Sequence, residues 1–130
     1  MTDVAARNRR NKRRGASWES ELRDGLRGAD LDIERLRLAG KDDEGDHVVR
    51  WLAPIRRRPF LVIEAKNAKF EPGQFIGEAL RERHNFAGHR GLDPDDVDVV
   101  VAVRRRGASW RKAYVLTTVE EYFDLPPEAA

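Results

Sequence analysis

The chain contains an acidic and basic set of residues whose types and spacing suit phosphate chemistry. Asp46 follows a polar loop, and Glu64, Ala65 and Lys66 close the apolar run 60–63. Because alternate side chains of a strand share one face, we expect Glu64 and Lys66 to project together from one strand end. If Asp46 lies beside them, two carboxylates and a lysine would form a metal-dependent phosphodiesterase site.

The proposed chemistry explains why these residue types belong together. Hard cations such as Mg²⁺ prefer oxygen ligands, of which a protein usually supplies one or two carboxylates, here Asp46 and Glu64. Lys66 can orient or help deprotonate the attacking water and offset negative charge in the transition state. The alternative is a solvated Glu/Lys pair at a strand end, because Glu-x-Lys alone is a weak motif. The preceding apolar strand, Asp46 upstream and a helix bearing Glu19 favour the catalytic interpretation.

Length and composition exclude several classes of protein. A chain of 130 residues suits one domain with a single core. The absence of cysteine excludes disulfides, thiolate metal sites and cysteine nucleophiles. His84 and His89 lack companion ligands at the spacing typical of zinc sites. Without an apolar run of membrane-spanning length or a signal-peptide pattern, we expect a soluble, cytoplasmic protein with no membrane contact.

Charge is distributed unevenly along the chain, although the net charge is only +2. Residues 1–14 carry almost no large apolar side chains and predict a mobile basic arm. Basic clusters suit phosphate backbones, whereas the acidic loop that contains Asp43 and Asp46 suits a cation. The alternative for the arm is a solvated tail that aids solubility. Its candidate DNA contacts are Arg9, Arg10, Lys12, Arg13 and Arg14.

Hydrophobic periodicity predicts an α/β fold in the order αβββαβ, followed by a further strand. A first helix is expected over about residues 17–27, with Ser17 as its N-cap. A second helix is expected between Pro72 and Gly88, packed on the sheet. The expected strands are 31–38, 47–53, 59–66, 97–103 and 112–117, and a short helix follows the last of them.

These motifs resemble the PD-(D/E)XK nuclease superfamily, and within it the archaeal-type Holliday junction resolvases. The matching stretches are Arg14-Gly15-x-x-x-Glu19-x-x-Leu22, Arg37-x-Ala39-Gly40, Asp46 and Ile63-Glu64-Ala65-Lys66, with looser matches at 102–103 and 109–111. The resemblance implies a restriction-endonuclease-like αβββαβ core, with a central mixed sheet flanked by helices. It divides the chain into a basic arm (1–14), a nuclease domain (15–123) and a short tail (124–130).

The resemblance also implies roles for individual residues. A Mg²⁺ ion, for which Mn²⁺ would substitute, falls on Asp46 and Glu64, with Ala65 as a further metal contact. Lys66 takes part in hydrolysis, and Glu19 belongs to the active site in the resolvase branch. Family members usually act as homodimers on four-way DNA junctions, so the implied partners are branched DNA and a second copy. A small arginine-rich resolvase would suit a bacteriophage, acting in the host cytoplasm.

Some positions depart from the family pattern or carry alternatives. The superfamily name implies a proline before the aspartate, where this chain has Gly45, and Asp43 or Glu44 could compete as the metal ligand. Gln74 matches a glutamine that some exonuclease-like branches carry near the metal, or it could cap a helix. Further candidate DNA contacts are Arg35, Arg37 and Lys69, and the alternative for the two arginines is surface salt bridging.

The aromatic residues and the enzyme class also leave choices open. Trp110 could stack on a DNA base, but packing at a hairpin base or a dimer seam is the expectation, with Trp51 and Phe75 as other possible dimer anchors. One alternative enzyme is a nuclease of the same fold that acts on flaps, ends or nicks. Another is a non-catalytic nucleic-acid-binding module, which gains nothing from acidic groups beside phosphate.

Overall fold

The computed structural model describes residues 2–36, 43–51, 58–126 and 128. Three helices and five strands occur in these ranges, in the predicted order αβββαβ followed by β. The elements are α1 (Thr2–Gly28), β1 (Asp32–Arg35), β2 (His47–Arg50), β3 (Phe60–Lys66), α2 (Pro72–His89), β4 (Val97–Val103), β5 (Tyr114–Leu116) and α3 (Val119–Tyr122). The α/β class is therefore confirmed.

The strands form one mixed sheet whose spatial order, β1-β2-β3-β4-β5, is also the chain order. Neighbouring strands are antiparallel except β3 and β4, which are parallel and paired from Phe60↔Val97 to Lys66↔Val103. Parallel strands need a crossover connection, and α2 supplies it. The crossover lays α2 along the face of the sheet onto which Glu64 and Lys66 project.

A separate layer of apolar side chains covers each face of the sheet. On one face, Val62 and Val101 pack with Phe75 and Phe86 of α2. On the other face, Ile63 packs with Trp18 and Leu22 of α1 and with Ala102, whose carbonyl accepts a hydrogen bond from the Trp18 indole at 3.2 Å. Since β4 contributes to both layers, its nearly unbroken apolar run is explained.

The first helix is longer than the sequence pattern indicates. It begins at Thr2, so the prediction that it starts near Ser17 is wrong, and most of the predicted basic arm is helical. Ser17 lies inside the helix and is exposed. The physical reason is helix propensity: alanine, arginine and lysine, which are frequent before Ser17, are all favourable in a helix interior even without an apolar stripe.

The other boundaries differ mainly by shortening of the strands. The two strands expected over 31–38 and 47–53 are described as Asp32–Arg35 and His47–Arg50, and residues 37–42 and 52–57 lie outside the described ranges. The last strand begins at Tyr114 instead of residue 112, because Trp110–Lys112 forms a 3₁₀ turn closed by the Ala113 N–H bond to the Trp110 carbonyl at 3.2 Å. Among the described helices, none has the length and apolar character needed to cross a membrane.

Candidate active site

Asp46 is fixed at the end of β3 by both its main chain and its carboxylate. Its N–H donates to the Ile63 carbonyl at 3.1 Å, and its own carbonyl accepts from Leu36 at 2.8 Å. Its Oδ2 accepts a hydrogen bond from the Ala65 N–H at 2.7 Å. Asp46 and the Glu64-Ala65-Lys66 segment therefore meet in the structure, although they are well separated in the chain.

Gly45 explains why this chain lacks a proline before the aspartate. Its φ is +99°, a conformation that glycine adopts freely and that the proline ring cannot reach. A Cβ added at Gly45 would also lie 2.8 Å from Cγ1 of Val62. Glycine at this position thus permits the turn that brings Asp46 against β3.

Lys66 projects to the same face as Glu64, as strand alternation predicts. Its Nζ lies 3.8 Å from Oε1 of Glu64 and 2.5 Å from Oε2 of Glu78 on α2. The ammonium also stands over the ring of Phe75, 5.4 Å from its centroid. Burial by itself would lower the pKa of Lys66, but the Glu78 hydrogen bond and the Glu64 charge outweigh it and raise that pKa. Lys66 is therefore a held cation, which favours charge stabilisation over deprotonation of water.

The two principal carboxyl groups are crowded and poorly hydrated. Asp46 is 6% exposed and Glu64 is 7% exposed. Burial, followed by the charge of Glu64, raises the pKa of Asp46 to about 9. Burial and the neighbouring Glu82 raise the pKa of Glu64 to about 9 as well. The site therefore disfavours two ionised carboxylates unless a cation accompanies them.

The donor set suits a hard divalent cation. It combines the carboxylates of Asp46 and Glu64 with the main chain of Ala65, whose carbonyl points to the same side of β3 as its N–H toward Asp46. Oε2 of Glu64 is buried and has no hydrogen-bond donor in the described part of the chain. Within the described ranges, no three histidine or acidic side chains converge as a metal-holding group. Two carboxylates nevertheless match the usual protein contribution to Mg²⁺.

Glu19 approaches this site from the opposite face of the sheet. Its main-chain carbonyl accepts a hydrogen bond from Nε2 of His47 at 3.1 Å, which joins α1 to the first residue of β2. The negative charge of Glu19 adds to the rise in the pKa of Asp46. His47 is fully buried, and burial followed by the nearby arginines 23, 35 and 27 lowers its pKa to about 4. A neutral His47 thus positions the helix that carries Glu19.

Two acids on α2 adjoin the site, although the sequence patterns did not predict a role for them. Glu78 holds Lys66, and Glu82 is 5% exposed and adds to the rise in the pKa of Glu64. The signal was present, because Glu82 falls on the buried helical stripe of Phe75, Ala79 and Phe86, where a carboxylate is unexpected.

The alternatives for Gln74, Asp43 and Glu44 can be compared with their contacts. Gln74 donates to Glu78, one turn further along α2, at 3.0 Å. The Asp43 carboxylate accepts a hydrogen bond from the Gly45 N–H at 3.0 Å, and its negative charge contributes to the raised pKa of Glu82. Glu44 pairs with Arg90 and with His89, the latter at 2.7 Å. The Arg90 guanidinium and the His89 ring thereby fix the position of the Glu44 carboxylate.

Three of the candidate DNA contacts have described, exposed side chains: Arg9 on α1, Arg35 on β1 and Lys69 after β3. Arg35 stands opposite His47 in the sheet register, so it is close to the acidic site. Arg10, Lys12, Arg13 and Arg14 lie in α1, but their side chains are outside the described part of the chain, as is the whole of Arg37.

Trp110 packs against α1, as expected from a residue at the base of a hairpin. A Cβ at Gly25 would lie 2.3 Å from its ring, so glycine permits this close approach. Phe75 is 4% exposed and cannot be a surface anchor, which corrects that part of the dimer prediction.

No protein-family model and no curated protein matches the chain, so its function has to be inferred from the site itself.

Proposed function

We propose that the protein is a Mg²⁺- or Mn²⁺-dependent DNA endonuclease of the Holliday junction resolvase type, with a restriction-endonuclease-like fold. The observation that carries the proposal is the buried carboxyl pair Asp46 and Glu64 beside the cationic Lys66. Glu64 belongs to β3, whereas Asp46 directly precedes β2, and both carboxyl groups lie at the end of β3. A purely structural role would leave two adjacent acids buried at a free-energy cost.

The chemistry follows from what each residue can do. Asp46, Glu64 and the Ala65 carbonyl would hold a divalent cation, which would supply polarisation of a phosphoryl oxygen and acidification of water. Lys66, held by Glu78 at 2.5 Å, places a positive charge where negative charge grows in phosphodiester hydrolysis. The Ala65 N–H keeps the Asp46 carboxylate oriented at 2.7 Å. Glu19 adds a further acid from α1.

DNA is the proposed substrate because exposed basic residues lie on the elements that carry or adjoin this acidic site. Arg35 precedes the acidic loop, Lys69 follows β3, and Arg9 extends the basic surface along α1. Contacts of this kind neutralise phosphates and do not read base sequence, so selectivity for a four-way junction would come from backbone shape.

A two-fold homodimer is part of the proposal because symmetric cuts require two sites. What supports it is an apolar patch on the edge strand and the last helix, in which every member is more than half exposed: Tyr114, Val115, Val119, Tyr122, Phe123 and Leu125. An adjoining groove of about 790 Å³ shares Val115 and Tyr122 with the patch. Within this set the rings of Tyr122 and Phe123 pack edge to face, with centroids 5.1 Å apart, and exposed apolar clusters mark interaction sites.

The charges that flank the patch favour a second copy as its partner. Arg111 and Lys112 directly precede β5, whereas Glu120 follows it on α3, and all three are exposed. If two β5 edges pair antiparallel about a two-fold axis, the basic end of one strand lies beside the acidic end of the other. The surface is thus self-complementary, as an isologous interface requires.

The test is incubation with a synthetic four-way junction and a matched linear duplex, with Mg²⁺ or with EDTA. Symmetric nicking of the junction alone, dependent on Mg²⁺ and absent in Glu64→Gln, is expected. Cutting of flaps or nicked duplex with an intact junction would favour the alternative nuclease. No cleavage of any substrate by a folded, DNA-binding protein would refute the enzymatic proposal.

A further inference from the structure

Glu82 is a buried acid that neither helix formation nor core packing explains. It occupies the apolar stripe of α2 between Ala79 and Phe86, and only 5% of its surface is exposed. Its Oε2 has no hydrogen-bond partner among the described residues. A buried acid without a partner costs free energy, which an apolar residue at this position would avoid.

Glu82 points toward the acidic site and not toward a salt bridge. Together with burial, Glu82 raises the pKa of Glu64. Its Oε2 would be 3.4 Å from a Cβ at Gly45, the residue before Asp46. The nearest cations on both sides have other partners, since Lys66 pairs with Glu78 and Arg83 pairs with Glu121 at 2.7 Å.

The buried carboxylates of Glu64 and Glu82 need a hydrogen-bond donor or a cation as a partner. Ionised carboxylates only accept hydrogen bonds, so two of them cannot bind each other directly. Oε2 of Glu64 and Oε2 of Glu82 are both buried without a donor in the described part of the chain. A divalent cation next to Glu64 would supply the positive charge that these two buried oxygens lack among the described residues.

We propose that Glu82 is a positioning residue of the divalent-cation site, which orients Glu64 and adds a third negative charge close to the ion. The inference rests on the proposed cation site at Asp46 and Glu64. Glu82 acts through Glu64, because the acidic side chains do not converge on one point as a three-carboxylate group. Such outer carboxylates typically contribute 10- to 100-fold to metal affinity.

The experiment is calorimetric titration of Mn²⁺ into the metal-free full chain, without DNA, for the wild type and for Glu82→Gln. The amide preserves the shape of the side chain and can donate to Glu64, so the fold is retained. The matched control is Glu71→Gln, which removes the same charge from an exposed position at the start of α2. Glu82→Gln is expected to weaken Mn²⁺ binding by about 10- to 100-fold, and Glu71→Gln by less than about 2-fold.

Thermal melting in EDTA separates positioning from a merely structural role. Glu82→Gln should melt no lower than the wild type, because it removes a buried charge, yet Mn²⁺ should raise its melting temperature less. Wild-type Mn²⁺ affinity in the folded variant would overturn the role of Glu82 and leave the proposed nuclease intact. Absence of Mn²⁺ binding by the wild type would overturn both.

Discussion

Replacing Glu64 by glutamine should stabilise the metal-free protein even though it removes a proposed catalytic group. In the fold, burial and Glu82 raise the pKa of Glu64 to about 9, compared with an ordinary value of 4.5. The folded chain therefore retains a proton that the unfolded chain releases. This difference favours folding most strongly below the ordinary pKa, and the contribution is lost as the pH rises toward 9. Glutamine does not titrate and escapes this loss.

The expected magnitude follows from the same two values. Each pH unit above the ordinary pKa costs about 1.4 kcal/mol while the folded group stays protonated. At pH 7, which is about 2.5 pH units above the ordinary pKa of Glu64, the loss corresponds to about 3 to 4 kcal/mol, and relaxation of the site reduces the expected gain to about 1 to 3 kcal/mol. For a chain of this size, such a gain raises the melting temperature by roughly 5 to 10 °C.

The assay is thermal unfolding from pH 4 to pH 9, in EDTA and in Mg²⁺. Wild-type and Glu64→Gln curves should nearly coincide at pH 4, which provides an internal control, and should separate as the pH rises. Mg²⁺ should restore wild-type stability by about 2 to 3 kcal/mol at concentrations near 100 times the dissociation constant, and the variant much less. If Glu64→Gln is no more stable than the wild type at pH 8 in EDTA, the carboxyl pair is not strained by burial and the reasoning fails.

Four other outcomes test separate parts of the structure. Lys66→Ala should lower the nicking rate by about 100-fold or more while gel shifts show unchanged junction binding. Arg58→Ala should lower the free energy of unfolding in denaturant by about 2 to 3 kcal/mol, because it breaks half-buried ion pairs to Asp98 at 2.8 Å and Asp124 at 2.7 Å. As a control, Arg50→Ala removes an exposed ion pair and should lower the free energy of unfolding by less than about 1 kcal/mol. Removal of residues 1–12 should weaken binding to all DNA shapes and, if about four phosphate contacts are lost, reduce the log-log salt slope by roughly 3 to 4 units; an unchanged slope would make them a solubility segment. Light scattering should give about twice the 14.9 kDa chain mass for the wild type and the single-chain mass for Tyr122→Asp, whereas a wild-type monomer that stays monomeric on junction DNA would contradict the dimer.

Features that depend on a single stretch of backbone could be predicted from the sequence. Strand alternation placed Glu64 and Lys66 on one face, and the structure has their charged groups 3.8 Å apart. The apolar run 97–103 predicted a buried strand, and β4 has those bounds. Pro72 correctly marked the start of α2, because proline suits the first helical position and disfavours the interior. Local geometry with a period of two or 3.6 residues carries this information.

The start of α1 shows where a local pattern is incomplete. Apolar spacing begins at Trp18, and Trp18 and Leu22 pack on the sheet. The residues before it have no apolar stripe, so periodicity could not report a helix that rests on propensity and extension from a packed segment. The sequence by itself therefore identified the half of α1 that the core requires, and not its beginning at Thr2.

The arrangement of the acidic site depended on tertiary contacts. By itself, the sequence determined that a carboxylate and a lysine share the end of β3, and that one of several loop acids could join them. The resemblance to the nuclease motif already favoured Asp46. The structure shows how Asp46 reaches β3, through a hydrogen bond from the Ala65 N–H at 2.7 Å, and pairs the competing Glu44 with Arg90. It also brought Glu78 and Glu82 of α2 beside these residues. The physical reason is that the parallel crossover places the whole of α2 against the end of the strand. The rotation of α2 about its own axis is set by tertiary packing, which the hydrophobic periodicity of the sequence does not specify.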